Sequence, residues 1–275
     1  MTAGKLAVQK IVFVGAGNMA EALVRGLTLS GACAPRQIVM TDVRADRLEA
    51  LARQYGVETC ASNAEAVRGS DMIVLAVKPQ VMDEALQQVK AALKPSVLVL
   101  SIAAGIRTTR IENALGEGRR VVRAMPNTPA LVRSGAAAIC GGRWADERDL
   151  QLAEAVMGAV GVVARVREED MDAITALSGS GPAYVFYLIE AMLEAARKLK
   201  LDEAVAKTMV YATIEGAAKL IRESGAEAAD LRQRVTSKGG TTAAALEVLG
   251  GRGVGGAVAE AVLAAHKRSR ELSGS

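Results

Sequence analysis

Histidine is almost missing from this chain: His266 is its only one, in a polar stretch near the C-terminal end, where a surface position is the simplest expectation. Aromatics are scarce as well. One Trp (Trp144) and two Phe cannot build the stacking platform that single-stranded nucleic acid needs. The three cysteines, Cys33, Cys60 and Cys140, are far apart and lack the close pairing of a zinc site or a redox dithiol. They read as unpaired thiols in a reducing compartment, so a cytoplasmic protein without a bound metal is expected. No window approaches the roughly 18 uninterrupted apolar residues of a membrane span, and the opening MTAGKLAVQK has no long apolar core. Nor does charge of one sign dominate. The net charge is only +4, and the one local basic run, Lys267, Arg268 and Arg270, suits a solvated helix face better than a nucleic-acid surface.

What is present is an ordinary globular composition, half apolar, in a chain long enough for two cores. The first half alternates β-branched runs with segments of helical period. The strand cores are Ile11 to Val14, Ile38 to Thr41, Met72 to Val77, Val97 to Ile102 and Val121 to Arg123, with Val57 to Cys60 a lesser candidate. Their nearly continuous apolar character predicts strands covered on both faces. Between them, Met19 to Ser30, Arg44 to Tyr55, Ala64 to Gly69, Gln80 to Leu93 and Thr108 to Leu115 read as helices. Gly135 to Cys140 and Val162 to Val166, flanking a helix from Asp146 to Val160, extend the sheet. From Glu168 strand signals stop, and Tyr184 to Lys200, Asp202 to Ser224, Ala243 to Leu249 and Val254 to Leu272 read as helices with wide apolar faces. The expectation is an α/β fold: a mostly parallel sheet over residues 1–166, then an all-helical domain over 167–275. Its surplus apolar surface predicts an obligate helical dimer.

The first strand runs into Gly15-Ala16-Gly17-Asn18-Met19-Ala20, a G-x-G-x-x-A turn opening a helix. Alone that motif says little, but after a strand and before a helix it has a physical use. Glycines permit a tight turn and close approach of a pyrophosphate, which the free N–H groups of a helix N-terminus receive. Asp42, ending the second strand, stands where an acid would bind the adenosine ribose and favour NAD. Arg44 and Arg47 follow, and a guanidinium there would instead grip the 2′-phosphate of NADP. Both cofactors stay open at this point. Ala76-Val77-Lys78-Pro79 and Ser101-Ile102-Ala103-Ala104-Gly105 close later strands at the edge where an open parallel sheet binds its ligand.

With one histidine, no imidazole acid of the lactate-dehydrogenase kind is available. Ketone reduction generates an alkoxide that needs a proton donor, whereas a protonated imine is reduced to a neutral amine, so the sequence suits an iminium substrate. Three segments look built for a small anion: Met125-Pro126-Asn127-Thr128-Pro129, Leu177-Ser178-Gly179-Ser180-Gly181-Pro182-Ala183-Tyr184, and Val235-Thr236-Ser237-Lys238-Gly239-Gly240-Thr241-Thr242. The last leads into a helix and forms a nest of backbone donors.

In this order the motifs resemble those of the pyrroline-5-carboxylate reductases, and the resemblance spans the chain beyond its first nine residues. It implies NADPH or NADH, with NADPH favoured, and a small-molecule substrate, Δ1-pyrroline-5-carboxylate, reduced at C=N to L-proline. Carried over by residue, Gly15, Ala16, Gly17, Asn18, Met19, Asp42, Arg44, Asn63, Ala76, Val77, Lys78, Pro79, Ala103, Ala104 and Asn127 bind the dinucleotide. Val235, Ser237, Gly239, Gly240, Thr241 and Thr242 contact the substrate: backbone groups hold its carboxylate, and the Thr242 hydroxyl, the catalytic candidate, approaches the ring nitrogen. Asn63 also reads as the cap of the helix starting at Ala64. Lys238 departs from the pattern, since many relatives carry Pro there. The family forms dimers through its C-terminal helices and commonly decamers.

Two rivals share the Rossmann motif. The β-hydroxyacid dehydrogenase and imine reductase group places a catalytic Lys or Asp on its interdomain helix, but after Gly181-Pro182 the first charged residue here is Glu190. A non-catalytic dinucleotide sensor would have no use for a second anion nest such as Ser237 to Thr242.

Overall fold

The computed structural model describes residues 5–274. They form two compact units: one runs to Ser180 and also takes in the stretch from Ala265 onward, and the other is Gly181–Ala264.

The first unit is a sheet of eight strands in the order β3-β2-β1-β4-β5-β6-β7-β8. These are β1 (Ile11–Val14), β2 (Ile38–Thr41), β3 (Glu58–Cys60), β4 (Met72–Leu75), β5 (Leu98–Ser101), β6 (Val121–Pro126), β7 (Gly135–Gly141) and β8 (Gly161–Arg165). All neighbours pair in parallel except β6 with β7. β1, β2, β4 and β5 are buried at every position, because helices cover both faces. Alternate residues feed opposite layers. Ile11 and Phe13 join a core with Leu23 and Leu27 of α1 (Asn18–Leu29), Leu48 and Leu51 of α2 (Ala45–Tyr55), and Val156 of α6 (Glu147–Gly158). Val12 and Val14 join the other core, with Ala66 of α3 (Asn63–Ala66), Leu86 and Val89 of α4 (Met82–Lys90), and Ile111 of α5 (Thr108–Leu115).

The chain runs outward from β1 through β2 to β3 and then crosses back to β4. Strand order therefore reverses between β1 and β4, and a crevice opens at their C-terminal ends. β6 is longer than its apolar run suggests, because antiparallel pairing with β7 carries it to Pro126 opposite Ala137. The expected helix from Gln80 begins instead as a 3-10 turn, Pro79–Val81, before α4. After β8 come α7 (Met171–Ile174) and a π-helical turn, Thr175–Gly179, which the sequence pattern does not show.

The second unit comprises α8 (Gly181–Lys198), α9 (Glu203–Ser224), α10 (Ala228–Arg234), α11 (Thr241–Gly251) and the first turns of α12 (Val254–Ser273). Asp202 caps α9 by accepting the Val205 N–H at 3.0 Å, and Gly225, at φ +62°, ends it. α8 packs on α9, yet few side chains here are buried, and Tyr187, Leu199, Met209, Leu220, Val248 and Leu263 are exposed. The end of α12 belongs to the first unit, where the Ser269 and Ser273 hydroxyls donate to the buried Asp172 carboxylate at 2.7 and 3.2 Å. No single helix among the described residues is long and apolar enough to cross a membrane, although the α11–α12 pair, bent by 51°, reaches that length and composition jointly.

Candidate active site

A cleft of about 580 Å³ lies at the β1/β4 reversal, lined by Gly15, Gly17, Asp42, Val43, Arg44, Ala61, Asn63, Ala76, Val77, Lys78, Val81, Glu84, Ala85 and Gln88. Gly15 takes φ +98°, and a Cβ there would stand 2.8 Å from the Ala76 carbonyl oxygen, so only glycine lets the two strand ends approach. Gly17 is the N-cap of α1 and supplies no side-chain cap, and a Cβ on it would meet nothing within 4 Å. The first intrahelical bond runs from the Glu21 N–H to the Gly17 carbonyl at 3.0 Å, leaving the N–H groups of Asn18 and Met19 without a helical acceptor. Open space over a glycine at a bare helix N-terminus fits a dinucleotide pyrophosphate.

Asp42 is buttressed by the turn it faces. Its carboxylate accepts the Ala16 N–H at 2.9 Å and both the backbone N–H and the Nε of Arg44 at 3.1 Å. Burial pushes this carboxyl up, but the Arg44 side chain and the two backbone donors outweigh it and hold Asp42 below its ordinary value. Arg44 uses only Nε in these bonds, and its side chain stays half exposed at the rim. Arg47, the other candidate for a 2′-phosphate, is not available. Its Nε donates to the Ala16 carbonyl at 3.0 Å and it pairs with Glu21, because α2 packs beside α1 and points that guanidinium beneath the turn.

The wall toward β3 is a row of polar side chains. The Thr41 hydroxyl bonds Asn63 Oδ1, Asn63 Nδ2 donates to Gln88 Oε1 at 2.6 Å, and Gln88 Nε2 donates to Glu84 Oε1 at 3.1 Å. Asn63 is not the cap of its helix. Ser62 takes that role, its Oγ accepting the Glu65 N–H at 3.3 Å, and Asn63 is left to face the cleft. Sequence reasoning missed the α4 side of this wall. Val81, Glu84, Ala85 and Gln88 recur at helical spacing on one face, within a segment whose sequence reads only as a helix.

Not every expected dinucleotide residue lines this cleft. Ala16 is buried beneath the turn, Asn18 is exposed at the helix start, Met19 packs against the core, and Pro79 opens the turn that carries Val81. At the end of β5, Ala103 is buried and Ala104 exposed. Asn127 has structural work: Oδ1 accepts the Ala136 N–H at 2.9 Å, and Nδ2 donates to the Ser178 carbonyl at 3.2 Å.

In the second unit the glycine pair shapes the turn before α11. Gly239 takes φ +73°, and Gly240 is the N-cap, where a Cβ would collide with Ser237 Oγ. The Gly240 N–H donates to the Ser237 carbonyl at 3.0 Å, so this amide stabilises the turn rather than standing open to a ligand. Thr241 and Thr242 fill the first turn of α11, whose amides lack intrahelical acceptors. Val235, Ser237, Gly239 and Thr241 are exposed, and Thr242 is partly covered.

A 3-2-1-4-5-6 parallel order with a glycine turn and a bare helix N-terminus at its reversal point is the arrangement of a dinucleotide-binding domain. Comparison with known proteins carries this further. Residues 10–105 match the family model "NADP oxidoreductase coenzyme F420-dependent", and residues 168–272 match "Pyrroline-5-carboxylate reductase dimerisation". The chain is 43% identical to the pyrroline-5-carboxylate reductase of Pseudomonas aeruginosa, covering 96% of this chain and 97% of the relative. Its structure is similar to that of the Coxiella burnetii pyrroline-5-carboxylate reductase (TM-score 0.90, 40% identity, 96% and 98% coverage). It is similar also to the Plasmodium falciparum pyrroline carboxylate reductase with NADP bound (TM-score 0.89, 30% identity, 98% and 100% coverage). The chain belongs to the pyrroline-5-carboxylate reductase family.

Proposed function

We propose that the protein reduces Δ1-pyrroline-5-carboxylate to L-proline, the last step of proline biosynthesis, using NADPH in preference to NADH. The observation that carries the reading is the full-length family match in a chain with a pyrophosphate-ready glycine turn. When bound, the dinucleotide supplies a hydride to the C=N carbon. The chain's own residues bind and orient. A protonated imine already carries its proton and becomes a neutral amine, so the site needs no strong acid, in keeping with a chain whose single histidine lies on α12.

The N–H groups of Ser237, Gly239 and Thr241, with the N-terminal end of α11, receive the substrate carboxylate, and the Thr242 hydroxyl holds the ring nitrogen. Fixing the ring in this way supplies rate through positioning. Arg44 sets the dinucleotide preference: the ionised Asp42 carboxylate, held by two backbone N–H groups, engages the Arg44 side chain only through Nε, which leaves its two Nη groups for a 2′-phosphate. Two copies pair through the exposed apolar faces of α8, α9, α11 and α12, with decamers as a further level of assembly. Unpaired Cys33, Cys60 and Cys140 suit a cytoplasmic location.

The test is nicotinamide oxidation by purified protein on Δ1-pyrroline-5-carboxylate, with NADPH and NADH compared and particle mass measured by light scattering. Turnover faster with NADPH on a dimer or larger assembly is the expected result. Dinucleotide binding without turnover overturns the reductase reading.

A further inference from the structure

The peptide joining Ala16 to Gly17 is trans, so its C=O and N–H point in opposite directions. Its carbonyl is held from below by Arg47 Nε at 3.0 Å, while the Ala16 N–H of the preceding peptide is held by Asp42 at 2.9 Å. Both peptide planes of the turn are therefore fixed by side chains from the β2–α2 region. With the carbonyl turned toward Arg47, the Gly17 N–H faces the opposite way. Arg47 is itself anchored, by an ion pair to Glu21, and Glu21 accepts the Tyr55 hydroxyl at 2.9 Å. Arg47 and Glu21 are about three-quarters covered, so this chain of contacts is shielded from competing water.

We infer that Arg47 is a positioning residue: with Glu21 and Tyr55 behind it, it pins the Ala16–Gly17 peptide so that the Gly17 N–H is preset to receive the dinucleotide pyrophosphate. The inference rests on the dinucleotide reading above. It differs from a direct grip on the 2′-phosphate, because the pyrophosphate is common to NADPH and NADH and the two must lose affinity alike. Burial raises the Glu21 carboxyl, but hydrogen bonds from Arg47 and Tyr55 and the Arg47 charge bring it below its ordinary value, which keeps the pair ionised at neutral pH.

The experiment is calorimetric titration of the full-length protein and of Arg47→Met with NADPH and with NADH, together with steady-state kinetics at saturating dinucleotide. Loss of one charge-assisted hydrogen bond predicts a Kd raised about tenfold for both dinucleotides, with kcat and the imine KM within about twofold of wild type. Glu21→Gln, which keeps the shape but removes the anchor's charge, predicts a smaller rise of about threefold in the same direction, and it serves if Arg47→Met does not fold. An unchanged Kd, or a rise confined to NADPH, overturns the inference. A wild-type protein that binds neither dinucleotide would instead overturn the functional reading on which it rests.

Discussion

Gly15 and Gly17 stand two residues apart in one turn, yet adding a methyl group should damage them in different ways. At Gly15 the backbone sits at φ +98° and the new Cβ would lie 2.8 Å from the Ala76 carbonyl oxygen, a backbone atom that cannot swing aside. A side-chain-bearing residue held in such a conformation costs roughly 1–3 kcal/mol. At about 2–4 °C per kcal/mol for a domain of this size, Gly15→Ala should lower the melting temperature of the dinucleotide-free protein by roughly 2–12 °C. At Gly17 the backbone is at φ −70° and ψ 178°, open to any residue, and a Cβ would meet nothing within 4 Å. The loss of a glycine N-cap costs at most about 1 kcal/mol, so the free protein should melt within a few degrees of wild type. The same methyl group would nevertheless fill the space over the helix N-terminus, and Gly17→Ala should weaken NADPH by about tenfold or more, or roughly 1.4 kcal/mol. Thermal melts at fixed protein concentration, with and without NADPH, and calorimetric titration separate the two effects. Wild-type affinity in Gly17→Ala would show that the pyrophosphate does not lie over this turn, and an unchanged melt in Gly15→Ala would refute the crowding argument.

Other predictions address the remaining chemistry. Thr242→Val should lower kcat while leaving the NADPH Kd within about twofold, since Thr242 belongs to the substrate nest; a folded variant that loses dinucleotide binding would contradict that role. Burial pushes the Cys33 thiol up to about 11, and burial with the nearby Glu168 charge pushes Cys140 up to about 12. Mass-spectrometric mapping after brief alkylation at mildly alkaline pH should therefore find Cys60 modified first, with the other two reacting only on unfolding. Asp42 is held below its ordinary 3.8, so its contribution to stability is present above that value and is lost as pH falls through the lower folded-state value. Asp42→Asn should flatten the acid limb of the stability curve, and an unchanged limb would count against the Ala16 and Arg44 bonds.

The sheet was readable from sequence because each central strand is buried on both faces and so appears as an unbroken apolar run, as in IVFV and MIVL. Helix α10 left no such trace. Its sequence, AADLRQR, contains no buried residue, so no apolar stripe marks it. The glycine turn was equally legible, since its motif is local. What lay beyond reach was the choice between the two guanidiniums near Asp42. That choice depends on partners brought together by folding: Ala16 and Glu21 lie 31 and 26 positions from Arg47. Asn63 reads as a cap as well as a dinucleotide contact for a similar reason, because two neighbouring polar residues can each cap a helix and only packing against Thr41 and Gln88 turns Asn63 away.

The buried Asp172 accepts hydroxyls from Ser269 and Ser273, partners 97 and 101 positions downstream, after the whole helical unit has intervened. The helical unit is thus an interruption within the sheet unit rather than an appendage to it. A fragment cut after Ser180 to obtain a free-standing nucleotide-binding module would strip two donors from a buried carboxylate and should be poorly stable. During synthesis the same carboxylate must wait for those donors, so the sheet unit finishes folding only after the helices that divide it have been made.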